Sequence, residues 1–327
     1  MRATLTREQV VAAAAEAVAI DDPGSGEAML ALVRRLYAIG RADLPLGRLV
    51  EGHVDALQIV ARYGTAAQAA RASEAARAGR LFGVWNADKP GEPTTLDGDR
   101  LSGGKAFASG AGLVSDALIS VDAAGGRQLL LLDLDQVPPA IDRTWWQVTG
   151  MQRSETHVAS WSGEVLPPEA RIGAPGDYVR EPWFSGGAVR FAAVQAGGIA
   201  ALVDRARDHL VAAGRSDDSL QRARLADLYG AAQAAADAVR RAALGWSAAD
   251  PAGTRARVAA ARVAVVRAGE EALRLAAAAV GLQAMFVDHP LAEPLRDLDV
   301  YLRQPAPDAQ RLLAGQAVAD GVLEPDL

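Results

Sequence analysis

The sequence predicts an α+β protein with an N-terminal helical domain (residues 1–80), a middle antiparallel β domain (81–184) and a C-terminal up-and-down four-helix bundle (185–327). Three observations predict it. Apolar residues recur at helical spacing through the first part of the chain. Gly, Pro and Asp then become frequent and short β-prone runs replace the helical period. After Phe184 the helical period returns, in longer stretches.

Residues 7–18 carry small apolar side chains at helical spacing. Residues 27–39 follow a Gly-Ser-Gly start and set Met29, Leu32, Val33 and Leu36 on one face. Residues 48–63 repeat that pattern and stop at Gly64, a natural helix terminator, and 65–78 is an alanine-rich fourth helix. Strands are expected at 81–85, 117–121, 128–132 and 158–161, with a hairpin turn at 122–126. In the third part, 192–213 presents Ile199, Leu202, Val203, Ala206 and Leu210 on one face, and 218–246 presents Leu225, Leu228, Ala232, Ala235 and Val239. Asp250 and Pro251 form an N-cap and first-turn pair for a helix that ends at Gly281. Its face is Ala261, Val265, Ala268, Ala272 and Leu275, and a last helix is expected over 308–320. Long helices with such small faces pack closely, as in a bundle.

Composition excludes several classes of function. Half of the 327 residues are hydrophobic and the net charge is −6, with Lys and Arg scattered among acids rather than gathered in a basic stripe. Nucleic acid is therefore not an expected partner. The absence of cysteine removes disulfides, thiolate nucleophiles and cysteine metal sites. His53, His157, His209 and His289 lie far apart in sequence, so no metal-ligand spacing appears. The polar start has no signal-peptide core and the apolar stretches are broken by Arg, Asp or Gly, so no membrane segment is expected and the chain reads as cytoplasmic.

Three stretches narrow the reading. The first is Ser102-Gly-Gly-Lys-Ala-Phe-Ala-Ser-Gly-Ala-Gly112, followed by the apolar run from Ser115 to Val121. The second is Trp146-Gln-Val-Thr-Gly-Met-Gln-Arg-Ser-Glu-Thr-His157, leading into 158–167 and Ile172-Gly-Ala-Pro-Gly-Asp-Tyr178. The third is His289-Pro-Leu-Ala-Glu-Pro-Leu-Arg-Asp297. In that order they resemble the flavin-facing strand, the Gly-Met-Arg segment and the C-terminal Arg-Asp signature of the acyl-CoA dehydrogenase family, and the resemblance runs from Leu81 to Ala309.

The resemblance implies FAD held between β domain and bundle, and oxidation of an acyl-CoA or other acyl thioester by removal of an α-proton and a β-hydride. It also implies an electron-transfer protein as partner and association as a homodimer or homotetramer. Phe107 takes the position that stacks on the flavin and Ser109 the hydroxyl position, with Ala108 between them. Trp85 falls in the strand before, where Trp85 and Asn86 replace a Thr-Glu pair, and packing of Trp85 beside the ring is expected. Arg215 matches an Arg in a turn after the first long helix. Gly281, in Val280-Gly-Leu-Gln283, is what is left of a Gln-rich, Gly-Gly stretch that helps hold the cofactor's diphosphate.

The catalytic carboxylate is missing from its usual place. Removal of an α-proton requires a base within about 3 Å of the atom that carries it. Counting on from Arg296 and Asp297, Pro305 stands where the family's Glu is expected, and a proline takes no proton. Asp308, Glu155 and His157 are the candidates nearest in sequence to the segments concerned, although Asp308 also reads as an N-cap. Some family members carry the base on the first long helix, where Asp204 and Asp208 share a face and Asp217 and Asp218 follow, but Arg205 and Arg207 make a solvated charged face the better reading. Two alternatives stand beside the dehydrogenase: a flavin monooxygenase of the same fold, which needs no α-carbon base, and a non-catalytic subunit paired with a catalytic paralogue as a hetero-oligomer.

Overall fold

A computed structural model describes residues 4–18, 22–123 and 125–325. Four helices open the chain: α1 (Arg7–Val18), α2 (Gly26–Ala42), α3 (Leu44–Tyr63) and α4 (Ala66–Arg77). Local chemistry sets their ends. Ser25 and Asp43 accept hydrogen bonds from first-turn amides of α2 and α3, Thr65 and Gln68 form a capping box on α4, and Gly64 closes α3. The apolar stripe expected on α2 is buried, with Met29, Leu32, Val33 and Leu36 almost inaccessible.

The middle of the chain forms one sheet from β1 (Phe82–Trp85), β2 (Thr95–Asp97), β3 (Arg100–Ala108), β4 (Asp116–Ala123), β5 (Gly126–Asp133), β6 (Ala140–Asp142), β7 (His157–Val165) and β8 (Arg171–Ile172). Their order is β6-β7-β3-β2-β4-β5-β8, with β1 also on β4. The hairpin expected at 122–126 joins β4 to β5, with Ala123 opposite Gly126; Ala124 lies outside the described residues. Antiparallel pairing dominates, as expected, but β1 runs parallel to β4 and β2 meets β4 in parallel at Thr95 and Asp122. The β2–β3 hairpin intervenes between β1 and β4, and strands joined by such a crossover pair in parallel.

The remaining helices are a short α5 (Trp183–Gly186), then α6 (Val189–Ala212), α7 (Ser219–Leu244), α8 (Pro251–Val280), α9 (Ala292–Leu302) and α10 (Pro307–Ala319). Asp250 caps α8 through Gly253 N–H, and Gly281 ends it at φ +80°, a left-handed value that suits glycine. Asp308 is not the cap of α10. Pro307 opens that helix, Ala306 holds the cap position, and Asp308 sits exposed in the first turn, where its charge suits the helix dipole. One apolar core runs through the N-terminal helices, the sheet and the bundle, because α2 and α3 pack on α6. Close approach makes that possible: a Cβ on Gly197 would lie 2.2 Å from the carbonyl oxygen of Tyr37. The stretch Trp183–Ala212 is long and apolar enough to cross a membrane, but most of it is buried inside the molecule as a core helix.

Candidate functional site

The helix α3, the edges of β1 and β3, the turn around α5 and the loop after α9 enclose a cavity of about 590 Å³. That lies within the usual range for small-molecule sites, roughly 300–1,000 Å³. One wall is the sheet. Because strand residues alternate, Val84 and Asn86 face the cavity, whereas Trp85 points into the core. There its indole N–H donates to the backbone oxygen of Ser109 at 3.0 Å, and its ring lies 6.4 Å from that of Trp161.

Phe107 does line the cavity. Its φ is +53°, unusual for an aromatic residue, and the β3–β7 register shifts between Lys105 and Ala108. This irregularity places Ala106 and the next residue, Phe107, on the same wall, as bulges re-aim side chains. The Phe107 ring stays 45% exposed and meets Trp145 edge-on at 4.8 Å. Ala108 is buried in the core. Ser109 is nearly buried, and its hydroxyl accepts from Thr156, itself 2.8 Å from the Ser154 hydroxyl.

The opposite wall is charged. Arg48, Glu51, Asp55 and Arg62 project from one face of α3, at spacings of three, four and seven residues. Arg48 pairs with the buried carboxylate of Glu51 at 2.7 Å and covers the Phe191 ring at 4.9 Å. Asp55 lies 3.5 Å from the buried Arg190, and Arg62 grips Asp22 with two guanidinium nitrogens. Burial pushes the Glu51 carboxyl up to about 7, against the pull of Arg48 and with the help of Asp55.

The loop after α9 closes the end of the cavity. Gln195 donates to the carbonyl oxygens of Tyr301 and Gln304 at 2.8 and 3.1 Å, and Arg262 donates to that of Pro305 at 2.6 Å. Pro305 therefore lines the cavity in a position fixed by its neighbours. Asp308 does not line it.

The other expected site residues gather elsewhere. Glu155 binds Arg143 at 3.0 Å and His157 at 3.1 Å, away from the cavity wall. Asp204 is held by two bonds from Arg41, Asp208 pairs with Arg207, Asp217 with Arg222, and Asp218 caps α7, so these carboxylates serve the surface and helix ends. Arg215 follows α6 and Gly281 follows α8, and neither lines the cavity. Among the described residues no cluster of His, Asp and Glu has the makings of a metal site.

The charged face of α3 and the buried Arg262 escape a reading based on apolar periodicity. A signal for both is present: charged residues recur on helices that must pack between other layers. The cavity has room for a small planar molecule. It offers an aromatic side chain left open on a cavity wall, small residues beside it, and enough volume.

No family model and no curated protein matches the sequence. Solved structures do match. The dibenzothiophene monooxygenase TdsC of Paenibacillus sp. A11-2 superposes with a TM-score of 0.80 at 18% identity, over 96% of this chain and 90% of that one. Another structure of TdsC holds FMN and indole. A glutaryl-coenzyme A dehydrogenase in complex with glutaryl-CoA gives 0.79 at 18% identity, over 97% and 87%. Butyryl-CoA dehydrogenase of Megasphaera elsdenii gives 0.75 at 16% identity, over 98% and 100%. The likeness is one of architecture: the chain has an acyl-CoA dehydrogenase-like fold.

Proposed function

We propose that the chain is a flavin-dependent oxidoreductase that acts on a small molecule in the cavity between sheet and bundle, and that its reaction is an oxygenation rather than the desaturation of an acyl thioester. One observation carries the choice. Pro305 lines the cavity in the loop from which the resemblance expects a base, and that loop turns its carbonyls toward Gln195 and Arg262. A flavin in this cavity would supply two-electron redox chemistry and, once reduced, reactivity toward oxygen. Phe107 and Ala106 would offer it an apolar wall, and the Pro305 loop would hold water back from the far side. FMN and FAD present the same ring; the erosion of the diphosphate grip around Gly281 favours the mononucleotide. Self-association through the bundle belongs to the same reading, supported by Leu282, Leu312 and Val318 standing exposed there.

A second reading has its own support. Glu51 is a buried cavity carboxylate whose proton is held near neutrality, as suits a general base, so it is the residue through which a dehydrogenase would work.

The test starts with the absorbance spectrum after incubation with FMN or FAD. The oxidised protein is then mixed with butyryl-CoA without oxygen, and the reduced protein with aerated buffer. Flavin uptake, no bleaching by butyryl-CoA and rapid reoxidation by oxygen are expected. Anaerobic bleaching would establish the dehydrogenase instead, and a protein that takes up no flavin would leave the non-catalytic subunit.

A further inference from the structure

We infer that the cavity selects a substrate bearing a carboxylate, which seats on the guanidinium of Arg262. The inference rests on the reading that this cavity is the substrate site. Charges along the cavity wall are matched in pairs. Arg48 has Glu51, Arg62 has Asp22, Arg303 has Asp299 at 2.7 Å, and Asp55 has Arg190. Among the described residues, Arg262 alone of the charged groups lining the cavity has no opposite charge within 4.0 Å.

Arg262 is also 3% exposed, in the interior of α8. A fully buried charge is normally paired, because removing an ion from water is costly. Among the described residues its one hydrogen-bond partner is the neutral carbonyl of Pro305, and Nε is buried without a hydrogen bond. The hydroxyl of Tyr301 is likewise buried and unbonded, and it lies within electrostatic reach of Arg48, Glu51 and Arg262. Arg262 lines the cavity, so an acceptor that carries negative charge and enters there would meet a cation that no protein carboxylate matches. A planar carboxylate matches the guanidinium fork. The burial that lowers the Arg262 pKa to about 10 still leaves it charged at neutral pH.

The probes are two isosteric pairs, benzoate with benzamide and glutarate with glutaramide, at constant ionic strength set with NaCl. Binding is read by calorimetry and by the shift in Tm, on intact protein both with and without added flavin. Saturable binding of at least one carboxylate, at least 10-fold tighter than its amide, is expected. Arg262→Met should abolish that preference, Arg262→Lys should keep part of it, and Arg303→Met should reduce it less than Arg262→Met does. Equal affinity for acid and amide, no binding of either acid, or loss of preference in Arg303→Met alone would overturn the inference and leave an ordered water as the ligand of Arg262. If Arg262→Met does not fold, the acid-to-amide ratio in the unaltered protein and in Arg262→Lys still decides. A colourless protein that prefers the acid would sink the flavin reading alone. A flavin-loaded protein without the preference would sink this inference alone.

Discussion

The backbone N–H of Met151 donates to the carboxylate of Asp297 at 2.5 Å, across 146 residues of chain. Next to it, Gly150 packs on Arg296 so closely that a Cβ would stand 2.1 Å from the Arg296 carbonyl oxygen. The contact is backbone against backbone, so no rotamer change relieves it. Gly150→Ala should therefore push the 146–157 segment away from α9 and destabilise the fold by about 1–3 kcal/mol, the usual cost of overpacking. Urea denaturation measures this, and an unchanged midpoint would contradict the contact.

That contact also explains why part of the fold was legible. Gly-Met and Arg-Asp were two of the three stretches that carried the resemblance, and they meet in space. Local rules placed the helix ends at Gly64, Asp250 and Gly281 and the β4–β5 turn, because caps and hairpins depend on adjacent residues. Direction along β1 was not legible, since parallel pairing with β4 depends on chain crossing over rather than on alternation. The lining of the candidate site was legible only at residues that the resemblance named. Phe107 and Pro305 stand on the cavity, but Trp85 turns inward by one residue of register, and the charged face of α3 looks like any solvated stripe until the layers around it are known.

Glu51 makes stability depend on pH with a definite sign. Its carboxyl has a folded-state pKa of about 7, above the ordinary 4.5, so between these values the folded protein holds a proton that the unfolded chain has released. Its contribution is therefore lost as pH rises from about 4.5 to 7 and is level above that range. Glu51→Gln removes this titration, so the stability of the native protein relative to the variant should fall across that window. Urea midpoints of both proteins at half-unit pH steps test it. A relative stability that climbs with pH would mean that Arg48 dominates and the carboxyl is ionised throughout.

A substitution at Phe107 should separate flavin uptake from stability. Its left-handed backbone costs an L-residue roughly 1–2 kcal/mol that glycine does not incur, and its half-exposed ring contributes little burial. Phe107→Gly should thus change the unfolding free energy by no more than about 1 kcal/mol while weakening flavin uptake at least 10-fold, or about 1.4 kcal/mol. Titration of FMN followed by fluorescence, set beside urea denaturation, reads both quantities. Undiminished flavin affinity would remove Phe107 from the site.

Pro305→Glu asks whether the cavity lacks only a base. The Pro305 carbonyl is tied to Arg262 and the carbonyls of Tyr301 and Gln304 to Gln195, so the path of the loop is set by its backbone and should survive the exchange. The new carboxylate would project from a position that already lines the cavity. With flavin bound, the variant should gain bleaching by butyryl-CoA in the absence of oxygen, at a rate at least 10-fold above the native protein. The gain should appear as pH rises through the new carboxyl's pKa, because only the ionised form accepts a proton. Glutamine at the same position supplies equal bulk without a base and should remain inert. If Glu and Gln behave alike while flavin stays bound, the missing carboxylate is not what separates this cavity from a dehydrogenase, and the shape of its charged α3 wall becomes the deciding difference.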